Sequence, residues 1–263
     1  MAFLHSAASH VKLSGLKKGR LPYLLLAPGL IFLFTFFILP IANLATTSTQ
    51  TPVSGGDTGS YEQTWHFSNY ITAFTENKEQ FARSFLFAFL TTVLALAIAY
   101  PLAYAIAFKS GRFKNILLVL VVAPFFTSFI LRTIAWKQIL GAEGPVVSTL
   151  QALHLISPTT TLTASAVAVV SGMTYNFLPF MTLPLYSSLE RIDPRTLEAS
   201  GDLYANSFTT FRKVTFPLSL PGVVAGTLLT FIPAAGDYVN AAILGNPQTK
   251  MLGNVIDSKF FKV

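Results

Sequence analysis

The segment LPLYSSLERIDPRTLEASGDLYANSFTTFRKVTFPLSLPG, from Leu183 to Gly222, separates two long apolar runs. Unlike its flanks, this segment is charged and amphipathic. Its acidic residues are Glu190, Asp193, Glu198 and Asp202. An amphipathic connector can rest on lipid headgroups, but these carboxylates argue against anionic lipid as its only partner. We therefore interpret the segment as a docking element for a soluble protein at one face of a membrane.

Two short helices are predicted within this segment. The pair Asp193-Pro194 marks a helix start, because Asp caps the first turn and Pro suits its first position. This start predicts a helix over Arg195–Asn206. We expect Ser207 to cap a second helix over Phe208–Val214. The chain should then turn back into an apolar run at Pro217.

The composition of the chain is that of an integral membrane protein. Of its 263 residues, 52% are hydrophobic and only 11% are charged, whereas soluble domains carry about a quarter charged residues. The chain has no cysteine, which excludes disulfides and thiolate metal sites. Its net charge of +7 comes from basic residues beside apolar runs, a pattern of membrane topology rather than of nucleic-acid binding.

Five apolar runs are long enough to cross a bilayer, since a spanning helix needs about 20 residues. They are Leu21–Ala45, Phe85–Phe108, Asn115–Ile139, Leu162–Leu189 and Val214–Ala235. We interpret the first run as a retained anchor, because its apolar stretch is too long for the core of a signal peptide. The sequence therefore predicts an all-α membrane protein with five visible spans.

The distribution of Lys and Arg predicts the orientation of these spans. Basic residues gather in alternate loops, which places the N-terminus and those loops in the cytoplasm. The predicted division is a cytoplasmic basic leader over 1–20, a first span over 21–45, an external loop over 46–82, and a membrane core over 83–263 with a cytoplasmic loop over 190–213. The segment Trp65–Phe74 in the external loop is aromatic, which is typical of a membrane interface.

Enzyme signatures are absent from the sequence. It contains no H-E-x-x-H, no G-x-S-x-G and no phosphate-binding loop ending in Lys-Ser or Lys-Thr. The four histidines are far apart in sequence and lie outside the spans, so a metal site is not expected. No catalytic residue is predicted, and any use of ATP must come from another chain.

The stretch LEASGDLYANSFTTFRKVTFPLSLPG resembles the cytoplasmic loop of permease subunits of ABC importers. That loop reads Glu-Ala-Ala, three residues, Gly, nine residues, Ile, one residue, Leu-Pro. The matching positions are Glu198-Ala199-Ser200, Tyr204, Val214 and Phe216-Pro217. Ser200 stands in place of Ala, and Tyr204 stands in place of the Gly of the turn. The resemblance implies a type I importer bundle and an ATPase-coupling loop that includes Glu198, Ala199, Ser200, Gly201, Leu203, Tyr204 and Pro217.

Three further stretches resemble the spermidine/putrescine permeases within that family: PLYSSLERIDP, LRTIAWKQILGAEG and PAAGDYVNAAILGNPQTKMLGNVI. The resemblance implies a polyamine permease of the bacterial inner membrane. It also implies a second permease subunit, an ABC ATPase dimer that holds ATP and Mg²⁺, an external substrate-binding protein, and no cofactor on this chain. Such permeases have six spans, so we expect a sixth that is absent from this sequence.

A pathway for a flexible polycation needs carboxylates, carbonyls and aromatic faces. The candidate pathway residues are Asp237, Tyr238, Trp136, Tyr175 and Asn176. Arg132 and Lys137 weigh against a cation if they face the pore. Three alternatives stay open: an ABC permease for another small solute, a secondary transporter, and a membrane scaffold. The scarcity of carboxylates within the spans disfavours a secondary transporter, and a scaffold would not need the docking loop.

Overall fold

The computed structural model describes residues 21–53, 55, 59–157 and 161–261, so the predicted leader over 1–20 lies outside the described residues. The chain divides into two compact units, Met1–Glu76 and Asn77–Val263. Both units are mainly helical.

The first unit is built on one long apolar helix. Helix α1 (Leu21–Leu33) continues through a π-helical turn into α2 (Leu39–Thr47), which together give a candidate membrane span over Pro22–Thr47. The predicted span over Leu21–Ala45 is thus helical throughout. An antiparallel pair of short strands follows, β1 (Gln50–Pro52) and β2 (Tyr61–Gln63), and then helix α3 (Ser68–Glu76). The sequence did not predict this hairpin.

The second unit contains ten helices within its described residues. They are α4 (Lys78–Phe108), α5 (Lys114–Val122), α6 (Phe129–Ile139), α7 (Pro145–Ala152), α8 (Ala166–Glu190), α9 (Pro194–Asp202), α10 (Ser207–Thr210), α11 (Phe216–Ala235), α12 (Val239–Leu244) and α13 (Leu252–Phe261). Helices α4, α8 and α11 pack together at the centre of the unit. Helix α4 begins seven residues before the predicted start at Phe85, inside the predicted loop over 46–82.

The third predicted span is bent rather than straight. The helical run Gly111–Phe126 and helix α6 meet at 98°. Thr127 is extended, with φ −105° and ψ 150°, and its N–H and hydroxyl both donate to the carbonyl of Pro124. These bonds end the first helical run, so the predicted span over Asn115–Ile139 is divided into two helices. The described residues contain four helices long and apolar enough to span, or five if the bent pair counts as one span.

Helices α8 and α11 cross at unusually short range. A β-carbon on Gly222 would lie 2.5 Å from the Cβ of Ser188, and one on Gly226 would lie 2.8 Å from the Sδ of Met181. Small residues four apart are a common device for close helix packing in membranes. The Tyr100 hydroxyl also bonds to the Ser219 hydroxyl at 2.7 Å, which joins α4 to α11. The three central helices are therefore held together by tight contacts.

Candidate functional site

Residues 190–213, called the docking segment below, form two short helices at the ends of α8 and α11. The first, α9, begins as predicted: the Asp193 carboxylate accepts a hydrogen bond from the Arg195 N–H at 3.0 Å, and Pro194 takes the first helical position. The helix ends at Asp202, four residues before the predicted end at Asn206. It ends there because the chain forms a turn that depends on Tyr204.

That turn has the hydrogen bonds of a Schellman motif. The Tyr204 N–H donates to the Gly201 carbonyl at 2.9 Å, and the Ala205 N–H donates to the Ser200 carbonyl at 3.1 Å. Tyr204 has φ +59°, in the left-handed region, at the position where such motifs usually carry Gly. A residue with a β-carbon pays about 1–2 kcal/mol to adopt this conformation. The geometry therefore explains why a Gly suits this position and shows that Tyr204 is strained here.

Ser200 ties the two short helices together. Its side chain is nearly buried, donates to the Leu197 carbonyl at 2.7 Å, and bonds to the Thr210 hydroxyl at 2.8 Å. An Ala at this position would lack both bonds. The sequence reasoning noted the Ser but missed its role, for which Thr210 ten residues later is the only signal.

The second short helix differs from the prediction. Its cap is Asn206, whose side-chain oxygen accepts from the Thr209 N–H at 2.8 Å, so the prediction that Ser207 caps it is wrong. The helix continues through a π-helical turn over Phe211–Thr215 into α11, giving one helical run over Ser207–Ala235. There is consequently no separate turn at Pro217, which lies exposed near the start of α11.

Several large side chains of the docking segment face outward. Tyr204 is 99% exposed, Leu203 is 82% exposed, and Phe208, which the sequence reasoning missed, is 70% exposed. Glu198, Ala199 and Gly201 are also exposed. Glu198 forms no ion pair within the described part of the chain. The backbone caps of the segment are thus satisfied internally, while Glu198 and three large apolar or aromatic side chains remain available to a partner.

A buried polar network lies near the far end of α11. Asp237 is only 7% exposed, and its carboxylate accepts from the Asn240 backbone N–H at 2.9 Å and from the Asn240 Nδ2 at 2.6 Å. Burial raises the pKa of the Asp237 carboxyl above its ordinary value, although the hydrogen bonds from Asn240 oppose that rise. Asp237 is therefore hydrogen-bonded to Asn240 in the first turn of α12 instead of standing open to solvent.

Asn240 carries the network into two further helices. Its Oδ1 accepts from the Asn176 Nδ2 in α8 at 3.1 Å, and the same Nδ2 donates to the Thr133 hydroxyl in α6 at 3.1 Å. The Asn176 Oδ1 is buried and has no partner within the described residues. The network thus unites two predicted pathway residues, Asp237 and Asn176, through two that the sequence reasoning missed. These four residues, Asp237, Asn240, Asn176 and Thr133, form the polar network.

The remaining predicted pathway residues lie elsewhere in the unit. Trp136 and Tyr175 form an edge-to-face pair with ring centroids 5.5 Å apart, and both line a cavity of about 270 Å³ with the apolar side chains of α4 and α8. Tyr238 is half-exposed on the turn before α12. The described residues hold no cluster of three or more His, Cys, Asp or Glu that suits a metal ion.

Solved structures show which known proteins share this fold. A bacterial ABC transporter that imports the acidic polysaccharide alginate matches 93% of this chain and 85% of its own, with a TM-score of 0.63 and 16% identity. The same transporter bound to a periplasmic protein that carries an alginate pentasaccharide matches with a TM-score of 0.63 and 17% identity. The chain therefore has the fold of an ABC importer permease, as predicted.

Sequence relatives indicate a narrower group of proteins than the shared fold does. A spermidine/putrescine transport system permease protein, PotB, from Haemophilus influenzae is 41% identical over 149 residues, covering 57% of this chain and 52% of the relative. PotB from Escherichia coli is 35% identical over 150 residues, covering 57% and 54%. An inner membrane ABC transporter permease, YdcU, from Escherichia coli is 34% identical over 163 residues, covering 58% and 52%.

The chain spans about half the length of the curated relatives it matches. No protein-family model matches it. The predicted resemblance to spermidine/putrescine permeases of ABC importers is nevertheless confirmed by these relatives.

Proposed function

We propose that this chain is a membrane permease subunit of an ATP-driven ABC importer for spermidine and putrescine. The observation that carries the proposal is the docking segment. Its caps are satisfied internally, and it presents Glu198, Leu203 and Tyr204 to a partner. The likeness to PotB proteins supports the same conclusion. On this proposal the chain performs no covalent chemistry and binds no cofactor, and ATP and Mg²⁺ are held by the ATPase subunits.

The partners and the placement belong to the proposal. They are a second permease subunit, a pair of ATPases at the docking segment, an external binding protein that delivers the polyamine, and the lipid of a bacterial inner membrane. The concentration of basic residues in alternate loops supports a cytoplasmic N-terminus.

The helical run Ser207–Ala235 provides a route for coupling. It is 29 residues long and connects the docking segment directly to the turn that holds Asp237. Because α11 packs closely on α8 at Gly222 and Gly226, a displacement of the docking segment would move both helices together. We infer that closure of the ATPase pair tilts this helix pair, and that the polar network carries the motion to α6 and α12.

For the substrate, the geometry favours the aromatic pair as the cation contact. Trp136 and Tyr175 can place ring faces against an ammonium group, an interaction of about 0.5–2 kcal/mol. The Asp237 carboxylate already accepts two hydrogen bonds from Asn240. We therefore propose that Asp237 supplies negative potential near the pathway and does not contact the substrate directly.

Arg132 favours a second candidate function, the import of an anionic solute. Its guanidinium lies 5.7 Å from the Phe125 ring centroid and 5.6 Å from that of Phe129. Its Nε and Nη1 are buried and have no hydrogen-bond partner within the described residues. A positive charge on the pathway would repel a polycation and attract a carboxylate.

Uptake into proteoliposomes tests both functions. The chain would be co-expressed with its partner permease and ATPases, purified, and reconstituted with ATP inside and binding protein outside. We expect ATP-dependent accumulation of labelled spermidine that unlabelled putrescine competes away and oligogalacturonate does not. ATP-dependent accumulation of labelled oligogalacturonate without accumulation of spermidine would establish the second function, and failure of the ATPase to copurify would refute both.

A further inference from the structure

The first unit carries an exposed aromatic surface that the proposed function does not use. Residues 65–74, called the aromatic segment, run from the turn after β2 into α3. The exposed apolar side chains on it are Trp65, Phe67, Tyr70, Ile71 and Phe74. No Asp, Glu, Lys or Arg occurs between Glu62 and Glu76. The surface is therefore apolar, aromatic and uncharged.

Hydrogen bonds fix the aromatic segment to the end of the long apolar helix. The Tyr70 hydroxyl bonds to the Ser48 hydroxyl at 2.5 Å, one residue beyond α2. The Asn69 Nδ2 donates to the carbonyls of Ser48 and Gln50 at 3.0 and 2.9 Å. The His66 N–H donates to the Thr49 carbonyl at 2.8 Å. The depth of the aromatic segment is consequently set by where this helix ends.

The length and composition of that helix indicate that its end reaches a membrane–water boundary. The apolar run Pro22–Thr47 has 26 residues, which at 1.5 Å per residue is about 39 Å, longer than the roughly 30 Å of hydrocarbon that a span must cross. Its last turn becomes polar at Asn43, Thr46 and Thr47. Trp and Tyr rings concentrate at this depth, because one side of the ring is apolar and the other reaches water.

We propose that the aromatic segment is a membrane-interface anchor that inserts its rings among lipid headgroups and the first carbons of the acyl chains. Trp65 provides an independent reason. It is 60% exposed and has φ +53°, a conformation that costs a large residue energy and that Gly would adopt freely. The exposed Trp65 ring is therefore available to lipid. Because the segment has no charges, its binding should not depend on anionic lipid.

Tryptophan fluorescence of the full chain in vesicles tests the anchor. The sequence has only two Trp residues, so Trp136→Phe leaves Trp65 as the sole emitter. The vesicles would be phosphatidylcholine containing lipid brominated either near the headgroup end or near the end of the acyl chains. We expect blue-shifted emission and a larger loss of fluorescence with the shallow bromine, unchanged when a third of the lipid is replaced by phosphatidylglycerol.

Two matched variants separate anchoring from misfolding. Trp65→Phe, which leaves Trp136, reports whether vesicle insertion is normal. Tyr70→Phe in the Trp136→Phe background keeps the ring but removes the bond to Ser48, and should reduce the preference of Trp65 for shallow bromine. Emission from Trp65 that is quenched by acrylamide and not by either bromolipid would refute the anchor. A blue shift that occurs only after purified binding protein is added would assign the surface to that protein instead.

Discussion

The docking segment and the polar network lie at the two ends of the same helical run, Ser207–Ala235, and use polar side chains in opposite ways. In the docking segment, Asp193, Ser200 and Asn206 satisfy local backbone or hydroxyl groups, so Glu198 and Tyr204 are free to face a partner. In the polar network, Asp237 and Asn240 bind each other in the protein interior. Substitutions of exposed side chains should therefore separate partner binding from folding, whereas substitutions in the network should affect both.

The largest effect on stability is expected at Asn240. Asn240→Ala removes the side-chain amide that donates to Asp237 and the oxygen that accepts from Asn176. Leaving these buried groups unpaired should cost about 2–3 kcal/mol. Thermal unfolding of the purified protein in detergent measures the change. Ser258→Ala, which alters a hydroxyl bonded only to its own helix, serves as the control. An unchanged midpoint for Asn240→Ala would mean that the network contributes little to folding.

Glu198→Lys should have the next largest effect, and on coupling alone. The side chain is exposed on α9 and has no ion pair in the described part of the chain. Glu and Lys have similar helix propensity, so expression and thermal unfolding of the variant should stay normal. Reversing a charge at a docking surface should cost about 2 kcal/mol of ATPase affinity. We expect loss of the ATP hydrolysis that loaded binding protein stimulates, and loss of uptake, in proteoliposomes.

Asp202→Lys provides the position control for Glu198, because Asp202 is another exposed acid of α9. If both reversals reduce stimulation equally, a general change of surface charge is responsible. Full stimulation in Glu198→Lys would make Glu198 a solvated surface residue without a role in docking.

Tyr204 offers a way to separate strain from docking. Tyr204→Gly relieves the left-handed backbone and should stabilise the end of α9 by about 1–2 kcal/mol. The same change removes the most exposed ring of the docking segment, so affinity for the ATPase should fall. Tyr204→Phe keeps the ring and the strain, and should leave both quantities near wild type. Hydrogen exchange at α9 and surface plasmon resonance against the ATPase provide the two measurements. Tighter ATPase binding by the Gly variant would show that the ring hinders docking.

The sequence predicted those parts of the molecule that depend on local pattern. The long helices follow from apolar runs, and the start of α9 follows from Asp193 and Pro194 being adjacent. The bend at Thr127 was missed because the apolar run continues through it. The polar network was missed because Asn176 bonds to residues 43 and 64 positions away, a pairing that no local pattern encodes. The strain at Tyr204 was visible only as an unusual residue at the Gly position, since its φ angle requires coordinates.

The smallest effect is expected for Asp237→Asn, and it depends on pH. The substituted amide keeps one oxygen for the Asn240 N–H but opposes its other group to the Asn240 Nδ2, donor to donor, which should cost about 1 kcal/mol at neutral pH. Burial raises the pKa of Asp237 in the folded protein. The folded state therefore binds the proton of the Asp237 carboxyl more tightly than the unfolded state does. The stability that this protonation contributes is fully present below the unfolded pKa and is lost as pH rises through the folded pKa. Asparagine does not titrate. The difference in unfolding free energy between wild type and variant should thus change across the acidic range and become constant once Asp237 is ionised.

Thermal unfolding at a series of pH values, with spermidine uptake at neutral pH, measures both parts. A difference that is constant with pH would show that Asp237 is ionised in the folded protein as readily as in the unfolded chain. In that case the hydrogen bonds from Asn240 would balance the effect of burial on the pKa of Asp237.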